Sequence, residues 1–315
     1  MLDKAGEPIC VARDAQLEVS LPLMDRLYHL ASSALLEALA PLQNSQFEQS
    51  APPTLIGLPH PRPGLTADFS ALLRMRLQLG EEFSPALGNI ETNCGGHSAG
   101  LIALEQAVAR INSGQAEFCL AGGVDSYLDA DSLEWLDQEE QLLSASNRAG
   151  FPPGEGAGFC LLTSVAIARR YKLPILAQIV AVATAQEKNL IKTETICIGE
   201  GLTKVFRQLT AGLKLPEEKI NTIYCDMNGE RYRNEEFVFT ALRTQKAFVD
   251  VHDFVHPADG WGDVGAASGP LFAILAVSAA QRGYAKGPQV LLWTSSEQGQ
   301  RCGLVLELNM SGERN

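Results

Sequence analysis

The sequence predicts a layered α/β protein built from two pseudo-duplicated halves, and three observations carry that expectation. Helical and strand patterns alternate along the whole chain. One order of elements occurs before residue 171 and again after 173: amphipathic helix, short strand, further helix, glycine turn, buried helix, two closing strands. Each half also holds one helix that is apolar on nearly every side, and such a helix belongs between layers. The repeat reaches single positions: Gly158-Phe159-Cys160-Leu161-Leu162 matches Gly303-Leu304-Val305-Leu306-Glu307. The halves are set at 1–171 and 172–315, with Leu173 and Pro174 marking the seam.

Residues 1–15 read as irregular. Leu23, Leu27, Leu30, Leu35, Leu36 and Leu39 stand at helical spacing and predict an amphipathic helix over 21–42. After a polar connector over 43–53 come a short apolar strand (54–58), a helix (67–79) and a strand (88–92). Gly95 and Gly96 turn the backbone sharply into the uncharged stretch 98–104. The helix start there has unpaired N–H groups and a partial positive charge, and the side chain delivered to it is His97. Ser113-Gly114 ends this helix, and a buried strand over 116–123 closes in glycines. The stretch 125–150 is a surface loop with a short helix at 132–136, and 152–158 feeds a strand at 159–163.

In the second half the expected elements are a strand over 175–184, a helix over 201–213, a strand over 223–227 and a helix over 233–248. Asp259-Gly260-Trp261-Gly262-Asp263 then repeats the earlier design, placing Asp263 at the head of the charge-free run 264–280. That run is slightly short for a membrane span and contains Gly265, Ser268, Gly269 and Pro270, so it reads as a buried helix. Strands over 289–294 and 302–308 complete the chain.

With 315 residues, 46% hydrophobic and 20% charged, the chain has an ordinary globular composition and ample core. A net charge of −12 argues against binding nucleic acid or an anionic membrane. Lys204, Arg207, Lys214 and Lys219 form the only notable basic cluster, on a solvated helix face. Cys10, Cys94, Cys119, Cys160, Cys197, Cys225 and Cys302 are scattered, odd in number and without a CxxC pair. They fit small buried hydrophobes in a reducing cytoplasm, and no signal peptide follows Met1. Only His252 and His256 are close enough in sequence to suggest a metal pair, but 251–257 reads as a strand end; neither a metal nor a cofactor is expected.

Several stretches resemble the β-ketoacyl synthases of the thiolase-like fold. Residues 97–123, HSAGLIALEQAVARINSGQAEFCLAGG, are similar to the synthase nucleophile helix and following strand. Phe151-Pro152-Pro153-Gly154-Glu155-Gly156-Ala157-Gly158 resembles the FVPGEGAG loop, and 262–269 (GDVGAASG) the segment that bears the second catalytic histidine. The resemblance runs from about Leu21 to the end and implies a layered α-β-α-β-α thiolase-like fold. It also places the family's catalytic positions on other residues. The nucleophilic cysteine falls on His97, the first histidine on Asn228, the second on Asp263 and the lysine on Ala258. The Gly-Phe-Gly-Gly gate falls on Glu297-Gln298-Gly299-Gln300. A synthase also starts with a strand that would precede Met1, so the first half lacks an edge strand or that strand lies upstream.

Decarboxylative condensation needs a thiolate to carry the acyl group and N–H donors for the enolate oxygen. An imidazole holds no thioester, and a carboxylate beside an enolate opposes the reaction by several kcal/mol, roughly. The residues therefore predict that condensing activity is lost. Cys94, three residues before the turn, is the remaining nucleophile candidate but lacks a basic or helix-end setting. His97, Asn228, Glu230 and Asp263 are expected to meet in the old pocket, as a polar plug or as a His–carboxylate pair for acid/base work. The polar stretch 226–233 (DMNGERYR) reads as a surface or pocket-mouth feature in which Glu230, Arg231 and Arg233 are solvated, and Glu155 as structural.

The resemblance narrows further. AGGVDSYLD-like and CDMNGERYR-like stretches, here 121–129 and 225–233, occur in a divergent subgroup found beside type VI secretion effector genes. It implies a non-catalytic effector adaptor or chaperone whose partner is a protein. Alternatives are a chain-length-factor-like partner of an active ketosynthase, or an acyltransferase or hydrolase on acyl-CoA or acyl-carrier thioesters using His97 and Asp263. Thiolase-like chains pair through the strand before the nucleophile turn, here 88–92, so a homodimer or heterodimer is expected.

Overall fold

The structure is a computed structural model that describes all residues except 1, 2, 5, 44–46, 48–50, 84, 85, 192 and 311–315. Much of the polar connector expected over 43–53 lies outside the described residues. The first half contains α1 (Leu23–Leu39), β1 (Thr54–Gly57), α2 (Phe69–Gln78), β2 (Ile90–Asn93), α3 (Ala99–Asn112) and β3 (Phe118–Ser126). It continues through α4 (Ala130–Gln138), β4 (Glu155–Thr163) and α5 (Val165–Tyr171). The second contains β5 (Ala177–Gln186), α6 (Glu200–Thr210), β6 (Thr222–Cys225), α7 (Arg231–Thr244) and β7 (Phe254–Val255). It ends with α8 (Ala258–Trp261), α9 (Ser268–Gln281), β8 (Gln289–Ser295) and β9 (Gln300–Leu308).

Two sheets result, each from one stretch of chain. The first has the order β2-β1-β3-β4 and the second β5-β9-β8-β6-β7. In both, a central parallel pair (β1 with β3, β6 with β8) is followed by an antiparallel strand (β4, β9). The orders coincide except at one position: β5 covers the outer edge of β9, whereas β4 is itself an edge.

Strand periodicity explains the layering, because alternate side chains leave opposite faces of a sheet. Along β3, Phe118, Leu120 and Val124 enter the core under α1 and α2, while Cys119 and Ala121 enter the core between the sheets. Along β8, Val290 and Leu292 face between the sheets, and Leu291 and Trp293 face α6 and α7. Helices α3 and α9 fill the middle through Leu101, Leu104, Phe272 and Ala276. The result is α-β-α-β-α. The run 264–280 thus folds between two sheets, and among the described residues no helix is long and apolar enough to cross a membrane.

Differences from the sequence reading are local. Helix α5, capped by Ser164 Oγ accepting from Ile167 N, was not anticipated. Helix α4 is longer than 132–136 because Asp129 caps it, accepting from Asp131 N and Ser132 N. Of the two glycines before His97 only Gly96 requires a positive φ (65°), and Gly95 sits at −93°.

Candidate functional site

His97 and Asp263 each stand at the mouth of a middle-layer helix. A tight turn over Gly96–Ser98 leads into α3, and a similar turn over Gly265–Ala267 leads into α9. Backbone pairing fixes Asp263: its N–H donates to Pro152 O (2.7 Å) and its carbonyl accepts from Gly154 N (2.8 Å). The proline-glycine loop therefore positions the carboxylate. The start of α3 is tied to the second sheet, with Ser98 N donating to Ser296 Oγ (2.9 Å) and Ser98 Oγ to Thr294 O (3.0 Å).

The two side chains meet. His97 Nε2 lies 2.9 Å from both Asp263 oxygens, and the residues are only 7% and 3% exposed. Asp263 also accepts from Gly265 N (2.8 Å) and from Asn228 Nδ2. Burial alone would push this carboxyl up, but the charge and hydrogen bond of His97, with Arg233 beyond, hold it well below the usual carboxylate range. Burial would likewise pull the imidazole down, and the Asp263 carboxylate outweighs it to raise His97. Each group therefore favours the charged form of the other. His97 Nε2–H donates to Asp263, so the nearby Arg233 Nη2 (3.3 Å) is a neighbour and not its donor.

Asn228 extends the network to Glu230 (3.1 Å), and Glu230 to Arg233 (3.2 Å) and Tyr232. Arg233, fully buried, also donates to Asp226 (2.8 Å) and to Ser295 O (2.9 Å). Burial raises the Asp226 carboxyl despite the Arg233 guanidinium beside it. Gln141 joins Glu230 (3.1 Å) to Glu297 (2.9 Å). Behind Arg233, Glu236 accepts from Arg301 (2.6 Å) and Ser295 (3.2 Å).

The expected meeting of His97, Asn228, Glu230 and Asp263 is what the structure shows. The solvated reading of 226–233 needs correction: Asp226, Glu230 and Arg233 are buried, and of the three residues read as solvated only Arg231 is exposed. The inward phase of α7 carries Arg233 and Glu236 beside Phe237 and Ala241, so the polarity of the segment marks an interior network. Ala258 is buried on α8, and Gln298 is an exposed residue whose carbonyl accepts from Gln186; its neighbour Glu297 joins the network instead. Cys94 is half-buried against the α1 core, and burial pushes its thiol up, which disfavours a thiolate.

Two parts of the site, His60 and the Arg62–Asp125 pair, carried no sequence signal that spacing could reveal. His60, from the loop after β1, lies against Gly96, and burial and the charge of His97 pull its imidazole down. Arg62 pairs with Asp125 (2.7 Å), which also accepts from Ala266 N at the mouth of α9 (3.1 Å). Glu155 pairs with buried Arg26 (2.8 Å) and accepts from Asp14 N (3.0 Å) and Ser126 Oγ (2.9 Å), a structural role as expected, though a side chain shares it with backbone.

Glu187, Cys197 and Glu236 offer ligand atoms within 4.8 Å of one another. Their carboxylates already accept from Gly201 N, Lys188 N, Asn189 N, Ser295 and Arg301, and Arg301 supplies the balancing cation. His256 of the suggested histidine pair contacts Asp259 (3.3 Å).

Comparison with known proteins agrees with this architecture. Residues 88–168, which span the His97 turn through α5, match the β-ketoacyl synthase N-terminal domain. The chain is 29% identical over 154 residues to pikromycin polyketide synthase component PikAIII of Streptomyces venezuelae, covering 47% of this chain and 10% of that protein. It is 26% identical over 154 residues to fatty acid synthase subunit alpha of Lachancea kluyveri, covering 44% of this chain and 8% of that protein. The chain thus spans about a tenth of the length of the curated relatives it matches. The ketosynthase from module 6 of the Bacillus subtilis bacillaene synthase superposes with a TM-score of 0.74 at 15% identity, over 93% of this chain and 59% of that one. A type II polyketide ketosynthase solved with its acyl-carrier protein gives 0.72 at 14% identity, over 95% and 88%. The chain therefore has the thiolase-like fold of the ketosynthases, with a stretch matching the β-ketoacyl synthase N-terminal domain across the His97 turn.

Proposed function

We propose that this protein is a catalytically degenerate ketosynthase-like scaffold that acts by binding a protein partner, as an adaptor or chaperone for a type VI secretion effector. The observation that carries the loss of condensation is the His97–Asp263 pair. It stands at the head of the buried helix, where the resemblance places the nucleophile and the second histidine. Both Asp263 oxygens are engaged by His97, Asn228 and Gly265 N, and the carboxylate raises the imidazole in turn. An imidazole fixed this way holds no acyl group, its Nε2–H is committed to Asp263, and Asp263 presents negative charge where an enolate would need donors. The buried salt-bridged network then acts as a plug, in which His97, Asp263, Asn228 and Arg233 pair with one another and with their neighbours, while Asp226 Oδ1, Gln141 Oε1 and Arg301 Nη2 have no hydrogen-bond partner among the described residues.

The secretion role draws on the stretches 121–129 and 225–233, which resemble those of the divergent subgroup. The test is recovery of tagged protein from native lysate: an adaptor brings down a stoichiometric protein partner. An effector partner supports the role in full; an active ketosynthase partner supports the chain-length-factor alternative. Recovery of no partner at all would sink both. The enzymatic alternative, a thioester hydrolase or acyltransferase, draws on the same 2.9 Å His97–Asp263 contact and requires turnover that disappears in His97→Ala.

A further inference from the structure

Helix α7 buries charged side chains and exposes apolar ones. Its inward face carries Arg233, Glu236, Thr240 and Thr244, all buried, beside Phe237 and Ala241. Its outward face carries Val238 at 52% exposure, Phe239 at 36% and Leu242 at 62%. These outward positions are neighbours at helical spacing and form one apolar stripe. The segment 196–198 runs alongside, with Ile198 O accepting from Arg243 and Ile196 75% exposed. An ordinary surface helix points its apolar stripe inward, and a contiguous exposed apolar area marks an interaction site.

Cations frame the stripe. A cleft of 530 Å³ between α6 and α7 is lined by Lys204, Arg207 and Arg243 with one carboxylate, Glu200. On the other side a 590 Å³ cleft reaches Val238 and Phe239 and is lined by Arg148 and Arg231 with Glu235. Five cations thus face two carboxylates on a chain of net charge −12. The Arg243 guanidinium lies 5.7 Å from the Phe239 ring centroid, so charge and apolar area form a single patch. The sequence's basic cluster divides here: Lys204 and Arg207 join Arg243, while Lys214 lies beyond α6 and pairs with Glu218.

We propose that the α6–α7 face binds an acidic amphipathic helix of a protein partner. Its apolar side lies on Val238, Phe239 and Leu242, and its carboxylates lie against Lys204, Arg207 and Arg243. The proposal rests on the partner-binding reading and names its contact surface. A second copy of this chain is the poorer occupant, because a two-fold contact sets the same cations against themselves. The buried anchors Arg233 and Glu236 hold α7 from behind, so the surface is formed before the partner arrives.

The test uses the full chain and a synthetic acidic amphipathic helix, leucines at helical spacing and glutamates on both flanks, as the probe. The control is the same peptide with lysine for glutamate. Fluorescence anisotropy at low and high salt reads affinity, and hydrogen exchange locates the contact. The acidic peptide is expected to bind, to weaken with salt and to protect α6, α7 and 196–198. Leu242→Asp or Arg243→Glu, both at exposed positions, weakens it at least about tenfold. The proposal is overturned by no binding, by equal binding of the lysine peptide, or by affinity that survives both substitutions. Protection of α7 that grows with protein concentration alone, or that needs anionic vesicles, also overturns it. A lysate partner retained by the Leu242→Asp variant removes this surface and leaves the partner-binding reading standing. Peptide binding without any lysate partner does the reverse.

Discussion

His97 and Asp263 come from opposite halves of the chain and share one buried ion pair, so each is costly without the other. Replacing Asp263 with Ala removes the carboxylate that raises the imidazole, so burial and the Arg233 guanidinium disfavour its charged form, and the donors on His97, Asn228 and Gly265 lose their buried acceptor. The expected loss is about 3–5 kcal/mol in urea unfolding. Lys286→Ala, which removes an exposed pair with Asp253, should change stability by no more than about 1 kcal/mol. Equal effects would contradict a His97–Asp263 pair that is both buried and coupled. The pair also fixes a pH dependence. The folded pKa of His97 is raised, so its contribution is complete below the unfolded value of about 6.5 and fades as pH climbs through the folded value. That of Asp263 is depressed, so its contribution is complete above about 3.9 and fades on acidification. The melting-temperature advantage of wild type over His97→Gln should be largest between about pH 4 and 6.5 and shrink at alkaline pH. A constant advantage from acid to alkaline pH would mean that the imidazole does not titrate as a partner of Asp263.

Among the elements, α3 and α9 were the most legible. Their charge-free runs and glycine turns could be read directly, because a helix in the middle layer has no face to give to water. Their close crossing was not legible. A Cβ on Gly100 would stand 2.4 Å from Ala266 O and 2.5 Å from Pro270 Cδ, so this glycine is required by approach and not by φ. Gly100→Ala is expected to cost about 1–3 kcal/mol, whereas Gly212→Ala, with nothing within 4 Å, should be close to neutral. Thermal melts of the two variants decide it; similar values would mean that the layers can spread at no cost. Helix α7 shows where sequence pattern misleads. Arg233, Glu236 and Thr240 recur at three and four residues in phase with buried Phe237 and Ala241, so the helical face was legible but its direction was not. Polar side chains at that phase look solvated until Asp226, Ser295 and Arg301 arrive from other strands to pair them. His60 and Arg62 were missed for the same reason: their partners are set by tertiary approach alone.

At the scale of the molecule, two sheets of like order differ by one strand, and the half-exposed β4 stands where β9 has β5 against it. The other end of the first sheet is β2, directly before the His97 turn. Its outer edge has free pairing groups of the kind that another chain can extend. Pairing there places two copies, or one copy and a relative, edge to edge. Light scattering at micromolar concentration should therefore give a mass above the 33.9 kDa of one chain, and a monomer would contradict this. The buried network also sits at the meeting of both sheets and both middle helices, so the plug and the fold stabilise each other. The claim on which all of this depends is that the plug has replaced the chemistry. The most direct measurement is intact-protein mass and thioester loss after incubation with acyl-CoA, for wild type and His97→Ala in parallel. The account predicts no acyl adduct and thioester loss at the buffer rate in both proteins; a covalent acyl group, or loss that vanishes in His97→Ala, contradicts it.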